Sequence, residues 1–451
     1  MRAKFPLFQR VTVCSAGRAR ISSAVLIKLT DNRCSGADSA AHNPDRTLMT
    51  KPYRYQPVHC LATVLFAISA IPIQAVHAQE NAASLIARIE APPSAGPGAG
   101  ELDALTMPAL MARLQVPGVS IAVVKDFNIH WAKAYGVADA QTGRLLDTES
   151  RFQAASISKP VTALAAMRLV QQNRLNLDAD INTMITSWQV PRSALTRYQA
   201  VTPRSLLSHT SGADDGFGFP GYEPGAPLPS LVRILNGQPP SNVGKVMFAR
   251  APFEAFKYSG GGLVIMQMAL TQLSGRPFAP FMNSSVLAPL RMSSSSFEQP
   301  PAPGHSARAA LAHDRYGQRM GAPWHIYPEQ AAAGLWTTPS DLAKFIIEIQ
   351  TALRGPKGKV LDQRAAKDML APAGVGPFAV GLPVDRRGEG WYFSHSGDNW
   401  GYRAWMIGHV RKGYGLVIMT NGDNGMALMN QIADRVEKAY DWDSLAKPLA
   451  R

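Results

Sequence analysis

The sequence predicts an α+β fold, a sandwich of helices and sheet. One antiparallel sheet is built from strands near both ends of the chain, with a large helical region inserted between them. Three observations carry this expectation. Two β-rich runs follow one another at residues 119–125 and 129–135. A meander lies within 391–420. The stretch from about 175 to 385 is mostly helical signal broken by Pro/Gly loops.

The first element in order is a leader. In residues 49–78, Lys51 and Arg54 give a positive start, residues 60–71 form an apolar run, and Val76-His77-Ala78 places small residues before Gln79. This is the pattern of a secretory signal peptide cleaved near Ala78. The apolar run is too short to span a bilayer, which takes about 20 residues, and Pro72 argues against a buried core helix. A signal peptide belongs at an N-terminus, so translation is expected to begin at Met49, with residues 1–48 a mis-assigned start or a disordered extension. The mature protein is expected in the periplasm or outside the cell. Residues 79–101, rich in Ala, Pro and Gly toward their end, are expected to be a linker.

Residues 102–115 carry Leu102, Leu105, Leu110, Met111 and Leu114 at helical spacing. The two β runs that follow are separated by the turn residues Asp126-Phe127-Asn128. Residues 156–172 predict a helix. Between Val161 and Met167 only Thr162 is polar, so the helix is apolar nearly all round and should be buried. Thr338-Pro339-Ser340-Asp341 starts another helix well, with Thr338 as N-cap, Pro339 at N1 and Asp341 closing a capping box. The final meander is expected to run through 391–396, 402–410 and 415–420, with turns at 397–401 and 411–414. A helix over about 426–442 closes a domain spanning 102–445.

Composition narrows the function. The chain has 451 residues, 46% of them hydrophobic, enough to bury a core without metal or disulfide staples. Its formal charge is +14, but residues 1–78 hold ten of the 46 basic residues and three of the 32 acidic ones, which leaves net +7 on the rest. Those charges are scattered, with no basic run interleaved with aromatics, so no nucleic-acid partner is expected. Cys14, Cys34 and Cys60 all precede Gln79. The mature chain therefore has no disulfide, no thiol nucleophile and no Cys-ligated metal. The residues before Cys60 do not suit a lipid anchor, and no membrane span is expected once the signal is removed.

Three motifs carry chemistry. In Ser156-Ile157-Ser158-Lys159, residues i and i+3 share a helix face, which sets a hydroxyl beside an amine. Serine is a poor nucleophile until a base takes its proton, and an amine at the start of a buried helix can serve as that base. The plain alternative, an N-cap serine and a surface lysine, sits poorly with the apolar helix that follows. Tyr258-Ser259-Gly260 precedes a second apolar run, where a phenol is either a proton relay or a packed aromatic. His395-Ser396-Gly397 closes a predicted strand. Its edge can offer a backbone N–H to an oxyanion, or the histidine is an ordinary packed residue.

Together these motifs, in this order, resemble the serine β-lactamase/penicillin-binding-protein superfamily, in the branch of class C β-lactamases, D-alanyl-D-alanine carboxypeptidases and related esterases. The resemblance covers about residues 102–440 and includes PGVSIAVVKD, RFQAASISKPVTALA, RSLLSHTSG, AAAGLWTTPSDLAKF and FSHSGDNWGYR. It implies a β-lactamase/transpeptidase-like fold and a serine hydrolase acting on an ester, amide, D-amino-acid peptide or β-lactam. By the same resemblance Ser156 is the acylated nucleophile, Lys159 its proton acceptor and Tyr258 the shuttle. His395, Ser396 and Gly397 match the family's Lys-Thr-Gly element, and the oxyanion hole is the backbone N–H groups of Ser156 and Asp398. Two departures stand out. The family's Tyr-x-Asn is Tyr258-Ser259-Gly260 here, and its Lys is His395. Both point away from efficient β-lactam turnover. A catalytically silent binder of cell-wall peptides is the competing class, and the intact Ser156/Lys159/Tyr258 set argues against it.

Other features are set aside. Gly216 to Gly221 spells GxGxxG, but no strand precedes it and Pro220 blocks a helix there. His209 is expected to be a buried, hydrogen-bonded residue in a turn, and Asp214 and Asp215 to be solvated. GHSAR at 304–308 lacks the second glycine of a nucleophile elbow. No HExxH or His/Cys cluster occurs, so neither metal nor cofactor is expected. Trp400 and Arg403 either shape a pocket or pack.

Overall fold

In the computed structural model, which describes residues 81–92, 100–216 and 218–442, the strand Gly118–Lys125 (β1) is buried along nearly its whole length. Side chains alternate between faces along a strand. Accordingly Val119, Ile121 and Val123 enter one apolar cluster, while Ala122 and Val124 enter another on the opposite side. Both faces of the sheet are therefore covered. The expected leader and signal peptide lie outside the described residues.

The remaining strands are β2 (Asn128–Asp139), β3 (Arg144–Leu145), β4 (Phe152–Gln153), β5 (Trp336–Thr337), β6 (Val384–Arg387), β7 (Gly390–Asn399), β8 (Tyr402–His409) and β9 (Gly415–Thr420). The main sheet has the order β3-β2-β1-β9-β8-β7-β6. β1 pairs antiparallel with both β2 and β9, Val119 lying opposite Tyr135 and Thr420, so strands from the two ends of the domain meet at the sheet's centre. β4 and β5 form a separate short ladder.

The helices run α1 (Ala82–Glu90), α2 (Met107–Arg113), α3 (Ser158–Gln171), α4 (Pro203–Leu207), α5 (Leu231–Asn236), α6 (Gly260–Ser274), α7 (Phe278–Met282), α8 (Pro303–Ser306), α9 (Gln330–Ala333), α10 (Pro339–Arg354), α11 (Gln363–Met369) and α12 (Gly425–Tyr440). The residues α1, α2 and α12 bury join one sheet face in a cluster that includes Leu85, Met107, Leu428 and Ile432. Helices α3 to α7 and α9 to α11, all from the inserted region or its border, build the larger core on the other face. Among the described residues no helix is long and apolar enough to cross a membrane.

Three local expectations need correction. Residues 79–101 are not simply a linker, because α1 lies within them. Asn81 caps it by accepting from Ser84 N (2.8 Å), and Leu85 and Ile89, one turn apart, are buried. The buried guanidinium of Arg435 donates to the carbonyls of Leu105 (2.7 Å), Leu102 (3.3 Å) and Ile89 (3.4 Å), tying this segment to α12. Thr338 does cap α10 by accepting from Asp341 N (3.2 Å). The Asp341 carboxylate, however, does not turn back to close a box. It accepts from Ser294 N (2.9 Å) and Ser295 Oγ (2.8 Å), two tertiary donors, and from Lys344 Nζ (2.7 Å) one turn on in the same helix. Finally, β7 continues to Asn399, so the turn expected at 397–401 shrinks to its last residues and His395-Ser396-Gly397 lies inside the strand.

Candidate active site

The turn before α3 is held in an unusual backbone shape. Ala155 has φ +50, a left-handed conformation that costs a non-glycine residue roughly 1–2 kcal/mol. It opens the 3-10 turn Ala155–Ile157, which runs directly into α3. Ser158 fastens this turn, donating to Ala155 O (2.6 Å) and accepting from Leu335 N (3.0 Å). Ser156 is thereby lifted to the rim of a cleft, half-buried, with its N–H in the first turn, where no intrahelical acceptor exists.

Lys159 lies one turn on and is 1% exposed. Its Nζ donates to Ser156 Oγ (2.9 Å) and to Ala332 O (3.0 Å), a carbonyl supplied by α9. Two firm partners make this burial tolerable. The same nitrogen lies 4.9 Å from the centre of the Tyr258 ring. Three side chains from two distant segments thus share one end of the cleft.

Tyr258 is positioned by the segment 209–215. His209 O accepts from Lys257 N (2.8 Å), Thr210 O from Phe253 N (2.6 Å), and His209 Nδ1 from Ser259 N (3.1 Å). The His209 ring lies against the Tyr258 ring (4.3 Å between centres) and edge-on to Phe378 (4.8 Å). Burial holds the His209 imidazole well below its usual pKa, so it is neutral, with the proton on Nε2. Asp215 is not solvated as expected. Its carboxylate accepts from Ser259 Oγ (2.5 Å) and Gly261 N (2.8 Å), and Ser259 Oγ in turn accepts from Gly262 N (2.9 Å) to cap α6. An anion at a helix N-terminus is favoured by the helix dipole as well as by these bonds. Asp214 pairs with Arg250 (3.0 Å) near the surface.

The opposite wall is the free edge of β7. Pairing with β6 ends at Phe393, and Ser394 N still points that way, donating to Pro383 O (3.3 Å). Backbone groups repeat their direction every second residue, so the amides of Ser396 and Asp398 point off the same open edge. Gly397 allows the close approach of this strand to the Ser156 turn. A Cβ there would sit 2.2 Å from Ala154 O. His395 is buried and donates from Nδ1 to Ser396 O (2.6 Å). Burial pushes its pKa down to about 3, which leaves it uncharged.

Ser156, Tyr258, His395, Ser396 and Asp398 line one cleft of about 980 Å³, with Lys159 just behind the serine. The sequence reading missed part of the wall. Gly218, Phe219 and Pro220, from the loop set aside as a failed dinucleotide motif, contribute apolar surface, as do Val243, Phe378, Pro383 and Trp405. Their only signal was proximity to the motifs after folding. Neither Trp400 nor Arg403 is among the residues that line the cleft. Trp400 stacks on His325 (4.0 Å, 5°), and Arg403 pairs with Asp398 (2.9 Å) and Asp423 (3.1 Å). Among the described residues no group of His, Cys, Asp and Glu is arranged to hold a metal ion.

Comparison with known proteins gives the family and supports the fold. The family model described as Beta-lactamase matches residues 104–441. Protein flp of Staphylococcus aureus (strain N315) is 24% identical over 320 residues, which cover 68% of this chain and 60% of that protein, so the chain spans less than two thirds of that relative. Esterase EstB of Burkholderia gladioli is 27% identical over 334 residues, covering 66% of this chain and 79% of that protein. The crystal structure of D-amino acid amidase from Ochrobactrum anthropi SV3 in complex with D-phenylalanine superposes with a TM-score of 0.59 at 23% identity, covering 79% of this chain and 99% of that one.

Proposed function

The chain belongs to the beta-lactamase family, and on that premise we propose that it is a serine hydrolase working through an acyl-enzyme on an ester or amide bond. The observation that carries the reading is the 2.9 Å contact between Lys159 Nζ and Ser156 Oγ at the head of the cleft. Lys159 Nζ accepts the Ser156 proton as Oγ bonds to the substrate carbonyl carbon. The carbonyl π electrons move to oxygen, where the N–H groups of Ser156 and Asp398 receive them. One such preorganised donor contributes about 3–4 kcal/mol. On collapse the C–O or C–N bond breaks, and the proton passes by way of Tyr258 to the leaving group. Water, activated through the same pair, then attacks the acyl-serine and restores Ser156. A positioned base of this kind is worth roughly 10²–10⁴ in rate.

Within this reading, short-chain ester hydrolysis ranks first. Gly260 leaves no side-chain amide where the family places asparagine, His395 is uncharged, and one relative is named an esterase. Peptidase or β-lactam turnover ranks behind. Export by a cleaved signal at residues 49–78 is part of the proposal and rests on the sequence pattern.

The test is hydrolysis of a p-nitrophenyl ester, nitrocefin and a D-Ala-D-Ala peptide by wild type and by Ser156→Ala. The ester should be turned over fastest, and the variant should lose all measurable turnover. A wild type that hydrolyses none of the three, or a variant that retains activity, would overturn the reading. Loss of all activity would favour a silent peptide-binding protein.

A further inference from the structure

The charges around the cleft are asymmetric in a way that bears on the substrate. Among the described residues lining it, Asp398 carries the one carboxylate, whose pKa burial and the neighbouring Asp423 raise and Arg403 lowers. Its carboxylate is 72% exposed, whereas Arg403, its partner at 2.9 Å, is 15% exposed and also pairs with Asp423 at 3.1 Å. One guanidinium therefore serves two carboxylates. The positive group lies beneath the wall and the negative one faces the substrate. Neither a lysine nor an arginine lines the cleft, and His395, at the family's lysine position, is buried and uncharged. The rest of the wall sets apolar surface from Phe219, Val243, Phe378, Pro383 and Trp405 beside the uncharged polar side chains of Asn242, Ser394 and Ser396. A cleft of about 980 Å³ with such a lining accommodates an apolar chain of several carbons.

We propose that this cleft selects uncharged acyl donors, esters or amides of apolar acids without a carboxylate near the scissile bond, and that Asp398 sets the selection. The proposal rests on the serine-hydrolase reading above. A substrate carboxylate entering here loses water, meets no cation on the wall and approaches a like charge. An apolar chain of the same length has no charge to desolvate and gains contact with Phe219, Phe378 and Trp405.

The experiment compares kcat/KM for p-nitrophenyl hexanoate and mono-p-nitrophenyl adipate, two esters of equal carbon count in which a methyl is exchanged for a carboxylate. Blank hydrolysis is subtracted. Wild type should prefer the hexanoate by about tenfold or more at low salt, and the preference should shrink as sodium chloride is raised, since screening weakens the repulsion. In Asp398→Asn the preference should narrow by about fivefold, with the adipate rate rising relative to the hexanoate rate. Equal kcat/KM for the two esters in wild type, or a preference for the adipate, overturns the selection and leaves the hydrolase reading standing. An unchanged ratio in Asp398→Asn removes Asp398 as its cause. Turnover of neither ester removes both readings together.

Discussion

Replacing Glu329 by glutamine tests the electrostatics of the wall behind Lys159. Glu329 immediately precedes α9, the short helix whose Ala332 carbonyl receives the Lys159 amine. Its carboxyl group is wholly buried, with no hydrogen-bond partner on another residue, and burial pushes its pKa up to about 8 from an ordinary 4.5. The titratable groups that act on or feel it are Tyr222 and Tyr327. The folded pKa is raised, so the contribution to stability is intact below the unfolded value. It declines as pH climbs through 4.5 and stops declining near 8, where the folded carboxyl also ionises. Each pH unit in that window costs about 1.4 kcal/mol. From about pH 5 to about pH 7.5 the wild type should therefore lose roughly 3 kcal/mol through this residue alone. Glu329→Gln has no proton to lose and should lack that slope. Whatever a buried amide costs is the same at both pH values and cancels. The assay is urea unfolding of both proteins at the two pH values, read by circular dichroism and extrapolated linearly to water. Parallel losses in the two proteins, agreeing within about 1 kcal/mol, would refute the claim that this carboxyl is buried as an acid.

Gly397→Ala places a Cβ 2.2 Å from the carbonyl oxygen of Ala154, in the backbone that leads into Ser156. It should lower kcat/KM for an ester by about a hundredfold, by displacing the turn or the oxyanion amide, while the circular dichroism spectrum is kept. A wild-type rate would refute the close approach. Asp215→Ala removes the acceptor of Ser259 Oγ and Gly261 N. It should cost about 2 kcal/mol in thermal or urea unfolding and lower kcat about tenfold through a loosened Tyr258. An effect on stability with kcat unchanged would separate Asp215 from the site. His395 has its pKa depressed to about 3, so it favours the folded state fully above 6.5 and loses that contribution as pH falls toward 3. His395→Asn should then lose about 2 kcal/mol less than wild type on going from about pH 6.5 to about pH 5, measured by the same unfolding assay.

Much of this was legible in the chain, and the reason is local. The apolar helix after Ser156, the Thr338 cap and the alternating strands at both ends are set by contacts a few residues apart, which periodicity and capping chemistry report directly. The i, i+3 spacing of Ser156 and Lys159 needs only one helical turn to become a contact. Helix α1 carries local signals of its own, the Asn81 cap and the Leu85/Ile89 pair one turn apart, which the Ala/Pro/Gly-rich stretch after it masked. Asp341 has the spacing of a capping box, yet tertiary donors claim its carboxylate. The partnership of Asp215 with Ser259, the stacking of His209 on Tyr258, and the arrival of Phe219 and Trp405 in one cleft arise only when α6, β7 and the loops between them close on α3. The sequence by itself determined the hydroxyl, amine and phenol that meet at the cleft and the elements that carry them. Tertiary structure decided the charge of their surroundings, because whether Asp398 faces the cleft, or His395 stays neutral, depends on what excludes water from each.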